Sequence, residues 1–139
     1  MSPLLIIGIN QKNYNSMDPK QTILVVEDDY QLRPLIAAFL GSICNVMTCT
    51  NAEEGIRLIE SEKFMFDLVL TDYDCPNPES GGHVIATAHK HLPNASLIIM
   101  TGGEYDEEVL RQMHNIDDYL HKPFKPEELI SIIGKHLAQ

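Results

Sequence analysis

Glu27, Asp28, Asp72, Thr101 and Lys122 are the residues whose types and spacing could do chemistry together. Each stands at the end of a short apolar run. Glu27-Asp28 ends Ile23-Leu24-Val25-Val26, and Asp72 ends Leu68-Val69-Leu70-Thr71. Thr101 ends Leu97-Ile98-Ile99-Met100, and Lys122-Pro123 follows Tyr119-Leu120-His121. If each run is a strand of one parallel sheet, all four signals meet at the same edge. That edge carries a carboxylate cluster, a hydroxyl and an ammonium group. Such a set suits divalent metal binding and phosphoryl transfer to an aspartate.

Two like charges about 4 Å apart, at an effective dielectric near 20, repel by roughly 4 kcal/mol. Three carboxylates gathered at one strand edge therefore need a proton or a cation. Oxygen ligands on a partly open site suit Mg2+, which keeps several waters and often shares a phosphate oxygen. Asp72 could attack phosphorus to give an aspartyl phosphate. Lys122 could then stabilise the charge on the transferring group, and Thr101 could donate its hydroxyl to a phosphoryl oxygen. Taken singly, each has a blander reading: a solvated acidic pair, a turn threonine, a surface lysine. Their joint placement carries the argument.

The elements that must position these groups alternate along the chain. Residues 23–27 form a continuous apolar, β-branched run, as expected of a strand covered on both faces. A helix follows over 31–40, with Leu32, Leu35, Ile36, Phe39 and Leu40 at helical spacing, Pro34 in its first turn and Gly41 as its stop. Residues 45–50 read as a weaker strand, and Asn51 caps a helix through Glu60 with Ala52, Ile56 and Ile59 on one face. Then come a strand at 67–71, a helix at 82–91, a strand at 96–101 and a helix at 106–114 with Val109, Leu110 and Met113 facing in. A strand at 118–121 is followed by a helix from Pro126, with Leu129, Ile132, Ile133 and Leu137 on its buried stripe.

Five β-then-α units imply an α/β fold with a five-stranded parallel sheet and helices on both faces. Right-handed crossovers leave few topologies. The doubly wound, flavodoxin-like order 2-1-3-4-5 has a switch point between its first and third strands, where ligands bind beyond the strand carboxyl ends. Glu27, Asp28 and Asp72 would flank that crevice.

The bulk properties narrow the function. A chain of 139 residues with 44% hydrophobic content suits one domain with a full core. Its net charge of −10, with 20 acidic against 10 basic residues, offers no clustered lysine and arginine for nucleic acid. Cys44, Cys49 and Cys75 match no zinc spacing and are odd in number, so they read as buried free thiols in a reducing, cytoplasmic setting. No apolar run is long enough for a membrane span, and the short apolar stretch from Leu4 to Ile9 lacks the flanks of a signal peptide. Residues 1–20 read as an N-terminal extension or linker, and 21–139 as the domain. The apolar piece of the extension could instead pair with a sheet edge or a partner. The six histidines read as scattered surface groups.

From Gln21 onward the chain resembles the receiver domain of two-component response regulators. The motifs are Ile23-Leu24-Val25-Val26-Glu27-Asp28, Leu68-Val69-Leu70-Thr71-Asp72, Ile98-Ile99-Met100-Thr101-Gly102 and Asp118-Tyr119-Leu120-His121-Lys122-Pro123-Phe124. The resemblance implies that Asp72 accepts a phosphoryl group from a histidine kinase or phosphotransfer protein. It implies Mg2+ held by Asp28, Asp72 and the main-chain carbonyl of Asp74, with Glu27 acting through water. Lys122 would pair with the phosphoryl group ahead of a cis bond to Pro123, and Thr101 and Tyr119 would be the switch pair. It places Asp29 at a helix start. Phosphorylation would act through the face formed by the 106–114 helix, the 118–121 strand and the last helix, around Tyr105, Tyr119 and His121. The implied partners are the phosphodonor and a downstream effector or covalently linked output domain, with a phosphorylation-dependent homodimer as a further option. No membrane and no direct nucleic acid contact are expected.

The chain departs from the family pattern in two places. Cys75-Pro76 stands where Met-Pro is usual, and the loop from Asn77 to Gly82 is one residue longer before its glycine. Asp74 and Gly103 lie two beyond Asp72 and Thr101, at positions that tune phosphoryl lifetime in the family. Two rival functions remain: a receiver-like binding module that signals without phosphorylation, and a haloacid dehalogenase-like phosphatase. Asp72-Tyr73-Asp74 fits the opening Asp-x-Asp of the phosphatases. However, the acidic pair precedes the lysine instead of following it, and two β-α units come first.

Overall fold

The computed structural model describes residues 5–7, 20–75 and 77–137. The linker reading of residues 8–19 and the Pro76 step lie outside the described residues. In chain order the strands are β1 (Leu5–Ile7), β2 (Thr22–Val26), β3 (Asn45–Cys49), β4 (Leu68–Asp72), β5 (Ser96–Thr101) and β6 (Asp118–His121). The helices are α1 (Leu32–Leu40), α2 (Ala52–Glu60), α3 (Pro78–His91), α4 (Glu107–His114) and α5 (Pro126–His136). The sheet order is β1-β3-β2-β4-β5-β6. The strands β2 to β6 are all parallel, and counted by themselves they run 2-1-3-4-5, as expected. The short β1 adds an antiparallel edge beside β3, with Ile6 opposite Met47. Residues 5–7 of the apolar N-terminal piece thus pair with a sheet edge.

Each central strand feeds two cores because successive side chains point to opposite faces. Leu24 and Val26 pack with Leu58 and Ile59 of α2, Val84, Ile85 and Ala88 of α3, and Leu110 of α4. Ile23 and Val25 pack with Ile36, Ala37 and Leu40 of α1, and with Leu129 and Ile133 of α5. Three helices thus cover one face and two the other. Full burial on both sides is why these strands read as unbroken apolar runs.

Helix starts follow local side-chain chemistry. Asp29 Oδ1 accepts from the Gln31 and Leu32 amides at 2.8 and 3.0 Å, so it opens α1 as expected. Asn51 accepts from the Glu54 amide at 2.9 Å, and Asp106 from the Val109 amide at 3.2 Å. Asn77 accepts from the Ser80 amide at 3.1 Å and Pro78 takes the first turn, so α3 begins before residue 82, where the sequence reading started it.

Two apolar side chains expected to face inward do not. Val109 and Met113 are 50% and 65% exposed, leaving Leu110 as the buried anchor of α4. Leu35 is 49% exposed, on the outer side of α1. Helical spacing gave the stripe, but each helix touches the sheet along a narrower line.

Candidate functional site

The register of the parallel strands assembles the site. Val26 pairs with Thr71, Asp72 with Met100, and Thr101 with His121. One residue further, three amides extend the ladder past the strand ends: Glu27 to the Cys49 carbonyl at 3.1 Å, Tyr73 to Met100 at 2.9 Å, and Lys122 to Thr101 at 2.8 Å. These bonds aim Glu27, Asp72, Thr101 and Lys122 along the same edge. The Lys122–Pro123 peptide bond is cis, matching the resemblance.

Glu27 and Thr101 are fully buried, Asp72 is 6% exposed, and Asp28 is open to solvent. The Lys122 ammonium donates to Glu27 Oε1 and lies 3.3 Å from Asp72 Oδ2. Burial pushes the Glu27 carboxyl up to about 7, against the pull of the Lys122 hydrogen bond and charge. Burial would lower the Lys122 ammonium, but Glu27 and Asp72 outweigh it and hold it above its ordinary value. Both shifts favour the protonated form, through burial at Glu27 and through the neighbouring carboxylates at Lys122.

Carboxylate oxygens of Asp28 and Asp72 and the sulfur of Cys75 lie within 4.8 Å of one another. The two carboxylates are hard oxygen donors, and the exposure of Asp28 leaves room for water. That set fits Mg2+. Cys75 was not foreseen beside the acids. Burial, together with the charges of Asp28, Asp72 and Glu27, raises its thiol to about 12, so the sulfur stays protonated and is a poor partner for a hard cation. The Asp72 Oδ1 atom also accepts from the Asp74 amide at 3.1 Å, which turns the Asp74 main chain toward the site.

Thr101 and Tyr119, expected as a switch pair, are not hydrogen-bonded to each other. Thr101 Oγ1 donates to Asp74 Oδ2 at 2.7 Å and accepts from the Gly103 amide at 3.0 Å. The Tyr119 ring is buried in the core under α2, α3 and α4, and its hydroxyl has no hydrogen-bond partner among the described residues. Tyr105, expected on the output face, reaches into the site: its hydroxyl donates to Asp74 Oδ1 at 2.7 Å. These bonds span 27 and 31 residues of chain, and spacing gives no signal for them.

The histidines are less uniform than the surface reading holds. His83, His89 and His121 are exposed. His114 Nε2 lies 2.8 Å from the Tyr73 hydroxyl, and His136 Nε2 lies 2.8 Å from Asp118 Oδ2. His91 Nδ1 lies 3.2 Å from Glu62 Oε1, so three histidines act as partly buried structural partners.

Together these features define a doubly wound α/β domain with an acidic site at its strand carboxyl edge. Residues 23–134 match the family model of the response regulator receiver domain, and the chain belongs to that family. It is 36% identical over 108 residues to the transcriptional regulatory protein CiaR of Streptococcus pneumoniae, covering 77% of this chain and 47% of that one. It is 33% identical over 122 residues to the transcription factor SKN7 of Candida albicans, covering 86% of this chain and 21% of that one. The chain thus spans less than half the length of these relatives. Among solved structures it resembles a CheY-like receiver domain protein from Methanospirillum hungatei, with a TM-score of 0.75 and 29% identity over 84% of this chain and 92% of that one. A BeF3-activated DrrB receiver domain gives a TM-score of 0.74 and 27% identity over 86% and 99%. No helix among the described residues is long and apolar enough to cross a membrane.

Proposed function

We propose that Asp72 is the phosphoacceptor of this receiver and takes its phosphoryl group from a phosphohistidine of a kinase or phosphotransfer protein. An Asp72 carboxylate oxygen bonds to phosphorus as the phosphorus–nitrogen bond breaks, and the electron pair leaves on the imidazole. Asp28, Asp72 and the Asp74 carbonyl would hold Mg2+, with Glu27 acting through water. The ion supplies charge neutralisation on the phosphoryl oxygens. Lys122 anchors one face of the transferring group, and the Thr101 hydroxyl is the donor that follows it.

The observation that carries this reading is the single ammonium of Lys122 set 3.3 Å from Asp72 among buried acids. A surface lysine has no reason to be there. The output is a shift of a pre-existing equilibrium. It is read on the face of α4, β6 and α5, where Tyr105, Tyr119, His121 and Glu128 line a shallow depression. That face is where an effector, an output domain or a second copy would dock. Three free buried thiols suit a reducing cytoplasm. The acidic balance argues against direct contact with nucleic acid by this domain.

The test is intact-mass analysis after incubation with Mg2+ and acetyl phosphate, comparing wild type with Asp72→Asn. One phosphoryl adduct in wild type alone, absent with EDTA, is expected. An adduct of equal yield in Asp72→Asn would overturn the assignment. Neither an adduct nor Asp72-dependent phosphate release would favour a module that signals without phosphorylation.

A further inference from the structure

The Asp74 carboxylate uses both of its oxygens on hydroxyl groups. Thr101 Oγ1 donates to Oδ2 and Tyr105 OH to Oδ1, each at 2.7 Å. Hydrogen bonds to an ionised acceptor at this length are about twice as strong as neutral ones. Thr101 has one hydroxyl proton. While Asp74 holds it, no phosphoryl oxygen on Asp72 can.

Gly103 is what lets Tyr105 reach Asp74. A Cβ at position 103 would fall 2.4 Å from the Tyr105 ring, so a side chain there displaces the ring. The ring is also seated edge-on against Tyr73, with centroids 5.1 Å apart and planes at 87°. Tyr105 immediately precedes Asp106, the N-cap of α4. A carboxylate, a glycine gap and an aromatic seat therefore converge on one arrangement, which ends at the start of the output helix.

We propose that Asp74 is a positioning residue: its carboxylate, steadied by Tyr105, holds the Thr101 hydroxyl and competes with the phosphoryl group for it. Charging of Asp72 exchanges one anionic acceptor for another. The resting state is then held by a specific bond, and the strength of that bond sets how readily the domain switches. This rests on the phosphoacceptor reading above and adds to it the restraint that must be broken.

The test is a double-mutant cycle on binding of BeF3−, a phosphoryl mimic, at saturating Mg2+, followed by calorimetric titration. The proteins are wild type, Asp74→Ala, Thr101→Ala and the double variant. Asp74→Ala keeps the main-chain carbonyl and removes the competing acceptor. It is expected to tighten BeF3− binding roughly tenfold, the scale of one charged hydrogen bond. In the Thr101→Ala background the same change is expected to have little effect. Asp74→Asn, isosteric and neutral, falls between, and Gly103→Ser moves affinity the same way by unseating Tyr105.

Tightening that persists undiminished without the Thr101 hydroxyl would mean simple charge repulsion and would overturn the proposal. So would unchanged or weaker binding in Asp74→Ala when wild type binds BeF3− through Asp72; the phosphoacceptor reading would then stand alone. If wild type takes neither BeF3− nor a phosphoryl group, both readings fall together.

Discussion

Lys122 reaches over the sheet edge to hydrogen-bond the fully buried carboxylate of Glu27, 95 residues away in the chain. Its ammonium also lies 3.3 Å from Asp72. The Arg33 guanidinium adds a second positive charge nearby, donating to the Glu27 carbonyl at 3.1 Å, while Asp28 and Asp72 bring further carboxyl groups to the edge. Under the proposed function, a divalent ion would offset the carboxylate charge before an anionic phosphoryl group arrives.

A stability prediction follows from that charge offset. A divalent ion that binds only the folded state adds about 1.4 kcal/mol at ten times its Kd. Thermal unfolding of wild type is therefore expected to move up by a few degrees between EDTA and millimolar Mg2+. Asp28→Asn removes one repelling charge, and because Asp28 is exposed the gain is modest, about 1 kcal/mol without metal. The variant should gain less from Mg2+ than wild type does. Identical melting of wild type with and without Mg2+ would remove the case for a metal site.

Two glycines are expected to respond to alanine with opposite signs. A Cβ on Gly81 would lie 2.4 Å from the Tyr73 carbonyl oxygen and 2.7 Å from its Cα, both backbone atoms that cannot step aside. Gly81→Ala must push the start of α3 off the β4 loop that carries Asp72 and Asp74. A cost of about 2–3 kcal/mol in urea denaturation is expected. At Gly134, inside α5, an added Cβ meets nothing within 4 Å. Gly134→Ala is expected to stabilise by about 0.5–1 kcal/mol through helix propensity. Equal effects at the two positions would contradict the close packing of α3 on the Tyr73 loop.

The site was legible to the extent that it is built from strand ends. Leu68 to Thr71 is apolar because both faces of β4 are covered, so the run marks the strand and its end marks the edge. Parallel register then aligns Glu27, Asp72, Thr101 and Lys122 without any knowledge of side chains. Inward-facing residues on α4 were harder. Val109, Leu110 and Met113 have helical spacing, yet only Leu110 meets the core, because α4 touches the sheet along a single line. The start of α3 carried a readable signal in Asn77-Pro78 that Gly81-Gly82 obscured. The Asp74, Thr101 and Tyr105 bonds had none, since they depend on where side chains of separate loops point.

The thiols offer a further check. Burial raises Cys44 to about 11, and burial with nearby acidic groups raises Cys49 and Cys75 to about 12. A thiolate is the reactive form, so native protein is expected to react negligibly with a disulfide reagent at pH 8. All three should react at once in denaturant. Prompt labelling of Cys75 in the native state would show that the loop beside Asp28 and Asp72 opens far more than its 1% exposure implies. Labelling with Mg2+ present tests whether the loop opens less once the acids are neutralised.

His114 makes stability fall on acidification. Its half-buried ring lies 2.8 Å from the Tyr73 hydroxyl, and burial holds its pKa below the ordinary 6.5. The hydroxyl can donate to Nε2 only while that nitrogen is unprotonated, so a proton there both charges the ring and breaks the bond. The unfolded chain protonates first as pH falls. The contribution is therefore intact above about 6.5 and is lost as pH falls through the lower folded value. Asp118 does not interfere. Burial raises its carboxyl, but hydrogen bonds from His136, the Tyr119 amide and Arg111 outweigh this and hold it below 3.8, so its contribution is lost only at lower pH. Glu27 works the other way: its raised pKa adds stability as pH falls through about 7. Wild type alone would mix these opposing trends. The informative quantity is the difference between wild type and His114→Gln, which retains an acceptor for Tyr73. Urea denaturation at pH 7.5 and 5.5 is expected to show wild type losing more stability than the variant, with about 1 kcal/mol for the hydrogen bond alone. A difference that stays constant between the two pH values would mean that the ring does not titrate as its burial requires.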